Sequence, residues 1–203
     1  MPDFPETDWQ LVADLLAVQG YALLPAAAPQ TCWAHMHTEA RQHLEQGAFV
    51  PARIGRGVGL HREGSVRGDG LCWLEPAMPA AAAYMRWMES LRLVLNRELF
   101  LGLDEFEAHY AHYPVGAFYR RHVDRHRDSN ARVISAVFYL NPEWREEDGG
   151  ELLMQNAAGE VLFAQPPQGG TLVLFMSADM PHEVLPATRE RWSVAGWFRT
   201  LSL

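Results

Sequence analysis

The stretch Tyr119-Arg120-Arg121-His122-Val123-Asp124 is the most informative part of the chain, because it places two metal-binding side chains on a β-type segment. Residues two apart on a strand project from the same side of a sheet, so His122 and Asp124 can both contact one ion. A third imidazole, His182, comes much later, in Pro181-His182-Glu183-Val184. Two imidazoles and one carboxylate leave the opposite side of a metal open, which is typical of non-haem Fe(II) oxygenases.

The pattern His-x-Asp is weak by itself, since the chain has nine histidines. Arg191 strengthens it, because this residue opens the last apolar segment and offers an always-charged fork to a dicarboxylate at the metal. A zinc hydrolase can also use two histidines and one aspartate. However, the sequence has no general-base glutamate of the His-Glu-x-x-His kind. The combination therefore favours an oxygenase.

Composition predicts one compact enzyme domain over residues 1–203, since 203 residues with 48% apolar content can bury a large core. The net charge of -8 argues against nonspecific binding to nucleic acid or to a membrane. Cys32 and Cys72 are expected to be buried thiols in a reducing compartment. We see neither a signal peptide nor a membrane-spanning run. The protein is therefore expected to be cytoplasmic.

Helices are predicted before residue 103 and strands after it. Helical patterns begin near Thr7 or Asp8, after Pro29 and at Pro79, and a short strand covers 21–24. Residues 51–70 are rich in glycine and arginine, and we expect a long mobile loop there. Turn signals separate eight further strands. They are Glu107 to Tyr113, Ala117 to His122, Arg132 to Leu140, Glu151 to Met154, Val161 to Ala164, Thr171 to Phe175, His182 to Leu185 and Arg191 to Phe198.

Eight short strands with regular turns predict a double-sheet jelly roll, that is, an α+β double-stranded β-helix over about 104–203. The helical part, about 1–103, should pack on one face of it as a support. Arginines crowd around His122 and can form either a basic rim for an acidic partner or an ordinary solvated loop. They are Arg120, Arg121, Arg125, Arg127 and Arg132, with His126 among them.

From about Arg67 onward the chain resembles the prolyl 4-hydroxylases of the hypoxia-inducible-factor type, and most closely their bacterial members. The first sixty residues match only loosely. The resemblance rests on an ordered set of motifs spread over more than a hundred residues. They are Arg67-Gly68-Asp69 with Trp73, Tyr113-Pro114, Tyr119-x-x-His122-x-Asp124, Arg132, Tyr139-Leu140-Asn141, Trp144, Gly149-Gly150, Pro181-His182-Glu183-Val184 and Arg191-x-x-x-x-x-Trp197-Phe198.

This resemblance implies a double-stranded β-helix that uses Fe(II), 2-oxoglutarate and O2, with ascorbate as a supporting reductant. His122, Asp124 and His182 would hold the metal. Arg191 would pair with the distal carboxylate of 2-oxoglutarate, helped by the hydroxyl of Tyr139. The other cosubstrate contacts implied are Tyr113 near the chelating end and Leu152 and Val184 as apolar walls. Spacing alone favours core packing for Tyr139, Leu152 and Val184.

The implied reaction is hydroxylation of a prolyl ring at C4, with oxidative decarboxylation of 2-oxoglutarate to succinate and CO2. Arg132, Tyr119 and Trp197 would surround the target proline, and Arg67, Asp69 and Trp73 would belong to a loop that closes over the peptide. An ion pair between Asp69 and Arg132 would link that loop to the rim. The bacterial members point to a proline of elongation factor Tu as the target.

Three departures and two alternatives accompany the resemblance, and the first is that the turn after Tyr113-Pro114 is one residue shorter than in the animal enzymes. Ala195 stands where the animal enzymes have a hydroxyl residue near the metal, and residues 125–131 form a segment one residue longer than theirs. One alternative is an oxygenase of the same fold that acts on a small molecule, a nucleobase or another side chain. The other is a non-catalytic binding module, which would not need both the metal ligands and the cosubstrate anchor.

Overall fold

A computed structural model of the protein describes residues 3–52, 66–124 and 131–201. Most of the loop predicted over 51–70 lies outside the described residues, as do Arg125, His126 and Arg127 of the basic rim. The helices precede most of the strands, in agreement with the expected division of the chain. The prediction that residues 1–203 form a single domain stays a prediction. No helix in the described ranges is long and apolar enough to cross a membrane.

Three helices form where the sequence predicts them: α1 (Trp9–Gln19), α2 (Gln30–Glu45) and α3 (Pro79–Leu99). The Asp8 side chain accepts a hydrogen bond from the Gln10 backbone N–H, which gives an otherwise unpaired donor of the first turn a partner. Gly20 ends α1 in the left-handed region, at φ 79°. Local capping therefore sets both ends of α1.

Nine of the eleven strands in the described ranges were predicted, eight of them with bounds that shift by one or two residues. The eleven strands are β1 (Tyr21–Leu24), β2 (Val50–Pro51), β3 (Gly70–Trp73), β4 (Glu105–Tyr113), β5 (Tyr119–His122), β6 (Arg132–Tyr139), β7 (Leu152–Gln155), β8 (Val161–Gln165), β9 (Leu172–Met176), β10 (His182–Val184) and β11 (Arg191–Arg199).

The strands build two antiparallel sheets, as the jelly-roll prediction requires. The larger sheet has the order β1-β9-β6-β11-β4-β3-β2, and the smaller has the order β5-β10-β7-β8. In the larger sheet β11 pairs with β4 along its whole length, from Arg191 opposite Tyr113 to Arg199 opposite Glu105. The strand count and the sheet arrangement confirm the double-stranded β-helix.

The sequence did not predict β2 and β3. Each is short and contains a residue that disfavours strands, Pro51 in β2 and Gly70 in β3. They form because β3 pairs with the long strand β4, from Gly70 opposite His112 to Trp73 opposite His109. The interpretation of 51–70 as one continuous loop was therefore wrong at both of its ends.

The apolar faces of the helices cover one side of the larger sheet, as expected. Tyr84 and Trp87 of α3 pack on Phe138 of β6, with ring centroids 5.4 and 5.8 Å apart. The register also needs a glycine at 196, because a Cβ there would lie 2.4 Å from Cζ of Phe106. Close packing on this side leaves the opposite face of the sheet free to line a cavity.

Candidate active site

A cavity of about 910 Å³ opens between the two sheets. Its walls contain every residue that the sequence assigned to the site except Tyr139. These are Arg67, Asp69, Trp73, Tyr113, Tyr119, His122, Asp124, Arg132, Leu152, His182, Val184, Arg191 and Trp197. The fold therefore brings together side chains that are spread over more than a hundred residues of sequence.

His122, Asp124 and His182 converge on one wall, with one ligating atom of each residue within 4.8 Å of the others. His182 of β10 lies directly opposite His122 of β5 in the smaller sheet. The Nε2 atoms of His122 and His182 lie 3.5 and 3.8 Å from the two carboxylate oxygens of Asp124. Among the described residues this is the one group that could hold a metal ion.

Asp124 reaches the triad from a bend rather than from the strand. The structure confirms that the predicted strand ends at His122, so the strand alternation used to pair His122 with Asp124 does not extend to Asp124. A hydrogen bond from another sheet holds the carboxylate instead: the Ser135 hydroxyl of β6 donates to Oδ2 of Asp124, at 2.7 Å. Ser135 in turn contacts Ser177, with the two hydroxyl oxygens 2.8 Å apart.

Backbone contacts orient both imidazoles. Nδ1–H of His122 donates to the carbonyl of Arg120 at 2.7 Å, and Nδ1–H of His182 donates to the carbonyl of Met180 at 2.9 Å. Each contact fixes the tautomer and leaves Nε2 unprotonated on the side of Asp124. The ring of Tyr119 stacks on that of His122, with centroids 3.6 Å apart.

The protonation states also suit a divalent cation. Burial alone would raise the pKa of Asp124, but His182, His122 and the Ser135 hydroxyl outweigh burial and hold this pKa well below its ordinary value. Burial lowers the pKa of His182 to about 4, against an opposing effect of Asp124. A carboxylate and two imidazoles whose Nδ1–H groups are bound to carbonyls, so that Nε2 faces Asp124, fit Fe(II), and the cavity keeps one side of the site open.

Arg191 is a buried cation in the cavity wall, with no carboxylate partner within the described ranges. Its side chain donates from Nε to the carbonyl of Gly150 at 3.0 Å and from Nη1 to the Ser193 hydroxyl at 3.4 Å. The guanidinium carbon lies 4.9 Å from the ring centroid of Tyr113 and 5.1 Å from that of Tyr139. Such a buried charge needs an anion to balance it.

The hydroxyl of Tyr139 is buried beside Arg191 and has no well-aligned hydrogen-bond partner among the described residues. Burial raises the pKa of Tyr139 to about 12, while Arg191 acts in the other direction. The phenol is therefore a neutral donor next to a cation. This pair fits one end of a dicarboxylate.

Gly150 makes the Arg191 contact possible. Its φ is +75°, and an added Cβ would lie 2.8 Å from Cβ of Ala187 and 3.5 Å from Cδ of Arg191. A side chain at 150 would therefore displace the backbone that holds the guanidinium.

One end of the cavity, here called the mouth, is lined by Arg67, Asp69, Trp73, Arg132 and Trp197. Two ion pairs lie at this mouth, and both differ from the pair that was predicted. Asp69 forms a bidentate pair with Arg67, with N···O distances of 2.7 and 2.5 Å, and the Arg67 guanidinium lies over the ring of Tyr119. Arg132 pairs with Glu107 at 3.1 Å. The predicted Asp69–Arg132 pair was therefore wrong, because each partner has a nearer opposite charge.

Both predicted tryptophans line the mouth. The guanidinium carbon of Arg132 lies 3.5 Å from a ring centroid of Trp197, a close cation–π contact. Trp197 is almost fully buried, whereas Trp73 is 45% exposed. Both indoles therefore line the cavity, and the exposed ring of Trp73 offers it an open aromatic surface.

Sequence reasoning missed several residues of the site, among them Ser135, Glu107 and His109. Ser135 and Glu107 hold Asp124 and Arg132, and nothing in their local sequence reveals these distant partners. His109 lines the cavity and is 3% exposed. The strand period offered a signal for it, since His109 is four residues before Tyr113 on the same face of β4.

Comparisons with known proteins agree with this geometry. Residues 108–199 match the model of the 2OG-Fe(II) oxygenase superfamily. A crystal structure of a Pseudomonas putida prolyl-4-hydroxylase has 42% sequence identity and a TM-score of 0.86, covering 95% of this chain and 99% of that one. A Trichoplax adhaerens prolyl hydroxylase in complex with a peptide from hypoxia-inducible factor has 26% identity and a TM-score of 0.84, over 96% and 94% of the two chains.

A curated relative, human Egl nine homolog 1, is 30% identical over 141 residues, which cover 66% of this chain. The match spans only 33% of the length of the human protein. The Pseudomonas putida enzyme, in contrast, matches over nearly its whole length. The chain therefore belongs to the 2OG-Fe(II) oxygenase superfamily and, within it, to the prolyl 4-hydroxylase family.

Proposed function

We propose that the protein is a 2-oxoglutarate- and Fe(II)-dependent prolyl 4-hydroxylase that acts on a protein substrate. One observation carries the proposal: a single cavity contains the open His122–Asp124–His182 group, the unbalanced cation of Arg191 and a mouth lined by two tryptophans. The overall reaction places one atom of O2 in the prolyl ring at C4 and the other in succinate, with release of CO2.

The metal site would use Nε2 of His122, Nε2 of His182 and the carboxylate of Asp124. Fe(II), when bound there, supplies the activation of O2. The protein holds the three ligands in place through the carbonyls of Arg120 and Met180 and the hydroxyl of Ser135. These contacts leave the ligands little freedom to turn away from the metal.

Arg191 and Tyr139 would bind the distal carboxylate of 2-oxoglutarate. The guanidinium is held by Gly150, so its remaining N–H groups are oriented before the cosubstrate arrives. Tyr113, which packs against Arg191, would flank the cosubstrate. Leu152 and Val184 are both buried in the cavity wall, where their side chains would exclude water.

The mouth of the cavity would receive the prolyl peptide. Trp73 and Trp197 offer aromatic surfaces that pack on a pyrrolidine ring, and Arg132 is fixed against Trp197. Tyr119 lies between this region and the metal site, since its ring contacts both His122 and Arg67. The Arg67–Asp69 pair would position the segment that leads into β3 above the peptide.

We propose elongation factor Tu as the protein substrate and the cytoplasm as the place of reaction. The resemblance to bacterial enzymes of this family supports this choice, and the 42% identity to the Pseudomonas putida enzyme is consistent with it. The Trichoplax adhaerens relative forms a complex with a peptide fragment of hypoxia-inducible factor, which supports a protein substrate in general.

Mass spectrometry tests the reaction and the substrate together. Elongation factor Tu is incubated in air with the protein, Fe(II), ascorbate and 2-oxoglutarate, and His122→Ala serves as the control. We expect a gain of one oxygen on a proline that is absent with the variant. No gain anywhere in elongation factor Tu, with 2-oxoglutarate binding intact, would refute this substrate and direct the search to the whole proteome.

A further inference from the structure

His109 is a polar side chain in the cavity wall to which the proposed reaction assigns no role. It lies in the middle of β4, opposite Trp73 of β3 on one side and opposite Ala195 of β11 on the other. Its ring points into the cavity from the same face of β4 as Tyr113. His109 therefore belongs to the cavity, but it comes from a different strand than the metal ligands and Arg191.

Two indoles hold the ring of His109. Trp73 meets it edge to face, with ring centroids 5.1 Å apart and an interplanar angle of 73°. Trp197 packs on it at 5.4 Å and 40°. Because His109 and both tryptophans line the same cavity, a substrate that packs on these indoles lies next to the imidazole.

The surroundings of His109 determine its tautomer. Nδ1 is enclosed and has no hydrogen-bond partner among the described residues. A buried N–H without an acceptor is rarer and less favourable than an unpaired acceptor, so Nδ1 is best left unprotonated. Burial lowers the pKa of His109 to about 4, so the ring is neutral at pH 7 and its single proton is on Nε2.

We propose that His109 is a substrate-recognition residue that donates a hydrogen bond from Nε2–H to a backbone carbonyl of the peptide at or next to the target proline. A prolyl residue has no backbone N–H, so its own backbone offers only an acceptor. The donor on His109 and the acceptors on the peptide are therefore complementary. This inference rests on the proposed prolyl hydroxylation and adds a determinant of peptide binding to it.

The tautomer can be tested without any substrate. Two-bond ¹H–¹⁵N correlation spectra of the ¹⁵N-histidine-labelled protein distinguish a proton on Nε2 from one on Nδ1. We expect His109, assigned with His109→Gln, to carry its proton on Nε2. A proton on Nδ1 would overturn the inference.

Three variants separate the hydrogen bond from packing. His109→Gln places an amide N–H₂ donor near the position of Nε2, His109→Asn places one near Nδ1 instead, and His109→Leu keeps bulk without a donor. With a prolyl peptide that the wild-type enzyme hydroxylates, we expect His109→Leu and His109→Asn to raise KM for the peptide about tenfold, the loss of one hydrogen bond. His109→Gln should restore KM to within about threefold of the wild type.

The peptides are overlapping proline-containing segments of elongation factor Tu, and KM for 2-oxoglutarate is measured alongside. His112→Leu is the matched control, because His112 is on the same strand but packs on Trp192, outside the cavity. Equal KM values in wild type and His109→Leu, or no rescue by His109→Gln, would overturn the inference. Absence of prolyl hydroxylation in the wild type would instead overturn the proposed function, and this inference with it.

Discussion

His122 and His182 are direct cross-strand partners of β5 and β10, with ring centroids 4.3 Å apart, although sixty residues separate them in the chain. The pairing of these two short strands therefore builds two corners of the metal site. The third corner, Asp124, depends on a different sheet, since its support comes from Ser135 of β6. The site thus requires that both sheets be assembled.

Ser135→Ala should weaken metal binding about tenfold or more, because residues that hydrogen-bond to metal ligands commonly contribute that much to metal affinity. The hydroxyl donates to Asp124 at 2.7 Å, and alanine leaves that oxygen without its donor. Anaerobic Fe(II) titration measures the effect. Ser177→Ala is the control, since it removes only the contact to Ser135. Identical affinities in the wild type and Ser135→Ala would contradict this role.

Arg191→Lys should raise KM for 2-oxoglutarate on the order of a hundredfold while metal affinity stays the same. Lysine keeps a charge but loses the planar fork and the bond to Gly150. Steady-state kinetics and Fe(II) titration measure the two quantities separately. Arg189→Lys, a nearby partly exposed arginine, is the matched control. Parallel losses of metal and 2-oxoglutarate binding would argue against an anchoring role.

Arg132→Lys should reduce peptide hydroxylation about tenfold, and more than it reduces the decay of 2-oxoglutarate without peptide. The guanidinium carbon lies 3.5 Å from a ring centroid of Trp197, and an ammonium group lacks the planar, delocalised charge that favours such a contact. Arg199→Lys is the control, since Arg199 also pairs with Glu107. Matched losses of both activities would place Arg132 outside substrate binding.

Asp69→Asn should destabilise the protein by about 3 kcal/mol, because it leaves the Arg67 charge buried without its partner. The Asp69 carboxylate is fully enclosed, and Arg67 is only slightly exposed. Chemical denaturation measures the change in the free energy of unfolding. The double variant Arg67→Met/Asp69→Leu removes both charges and should recover much of that loss. If the losses in unfolding free energy of Arg67→Met alone and Asp69→Leu alone add up to the loss of the double variant, the two residues are not coupled.

Acid should destabilise the metal-free protein partly through His109. Its pKa in the folded state is about 4, below the ordinary value of about 6.5. Between these two pH values the unfolded chain binds a proton that the folded protein does not, so stability falls as the pH is lowered through this window. For one group the slope is at most about 1.4 kcal/mol per pH unit.

Denaturation curves of wild type and His109→Leu between pH 4 and 7 measure this contribution. The unfolding free energy of the variant should depend less steeply on pH, and the difference in slope corresponds to at most one bound proton. A slope that does not change with the substitution would mean that the folded protein protonates His109 as readily as the unfolded chain does.

Local patterns in the sequence were sufficient for the elements and for the chemical types of the site. The capping of α1 by Asp8 and Gly20 involves only neighbouring residues, so composition and periodicity revealed it. The eight strands after residue 104 were likewise visible as apolar runs between turns. The combination of His122, Asp124, His182 and Arg191 indicated an oxygenase because few other sites need these residue types together.

Contacts between distant segments could not be predicted in the same way. Strands β2 and β3 have weak strand propensity and form only because β3 finds a partner in β4 and β2 finds one in β3. The sequence suggested an Asp69–Arg132 pair, whereas the fold presents Asp69 with Arg67 and Arg132 with Glu107. Which opposite charges meet depends on strand register, and register is set by the packing of the whole sheet.

The residue types alone therefore indicate which atoms can bind a metal and a dicarboxylate, since ligand chemistry belongs to individual residues. In contrast, the contact of Asp124 with Ser135 and the packing of His109 against Trp73 and Trp197 became evident only from the folded chain. The physical reason is that burial and hydrogen-bond partners arise from strands that are far apart in the chain. Burial and hydrogen bonds together set the protonation and the orientation of side chains in the site.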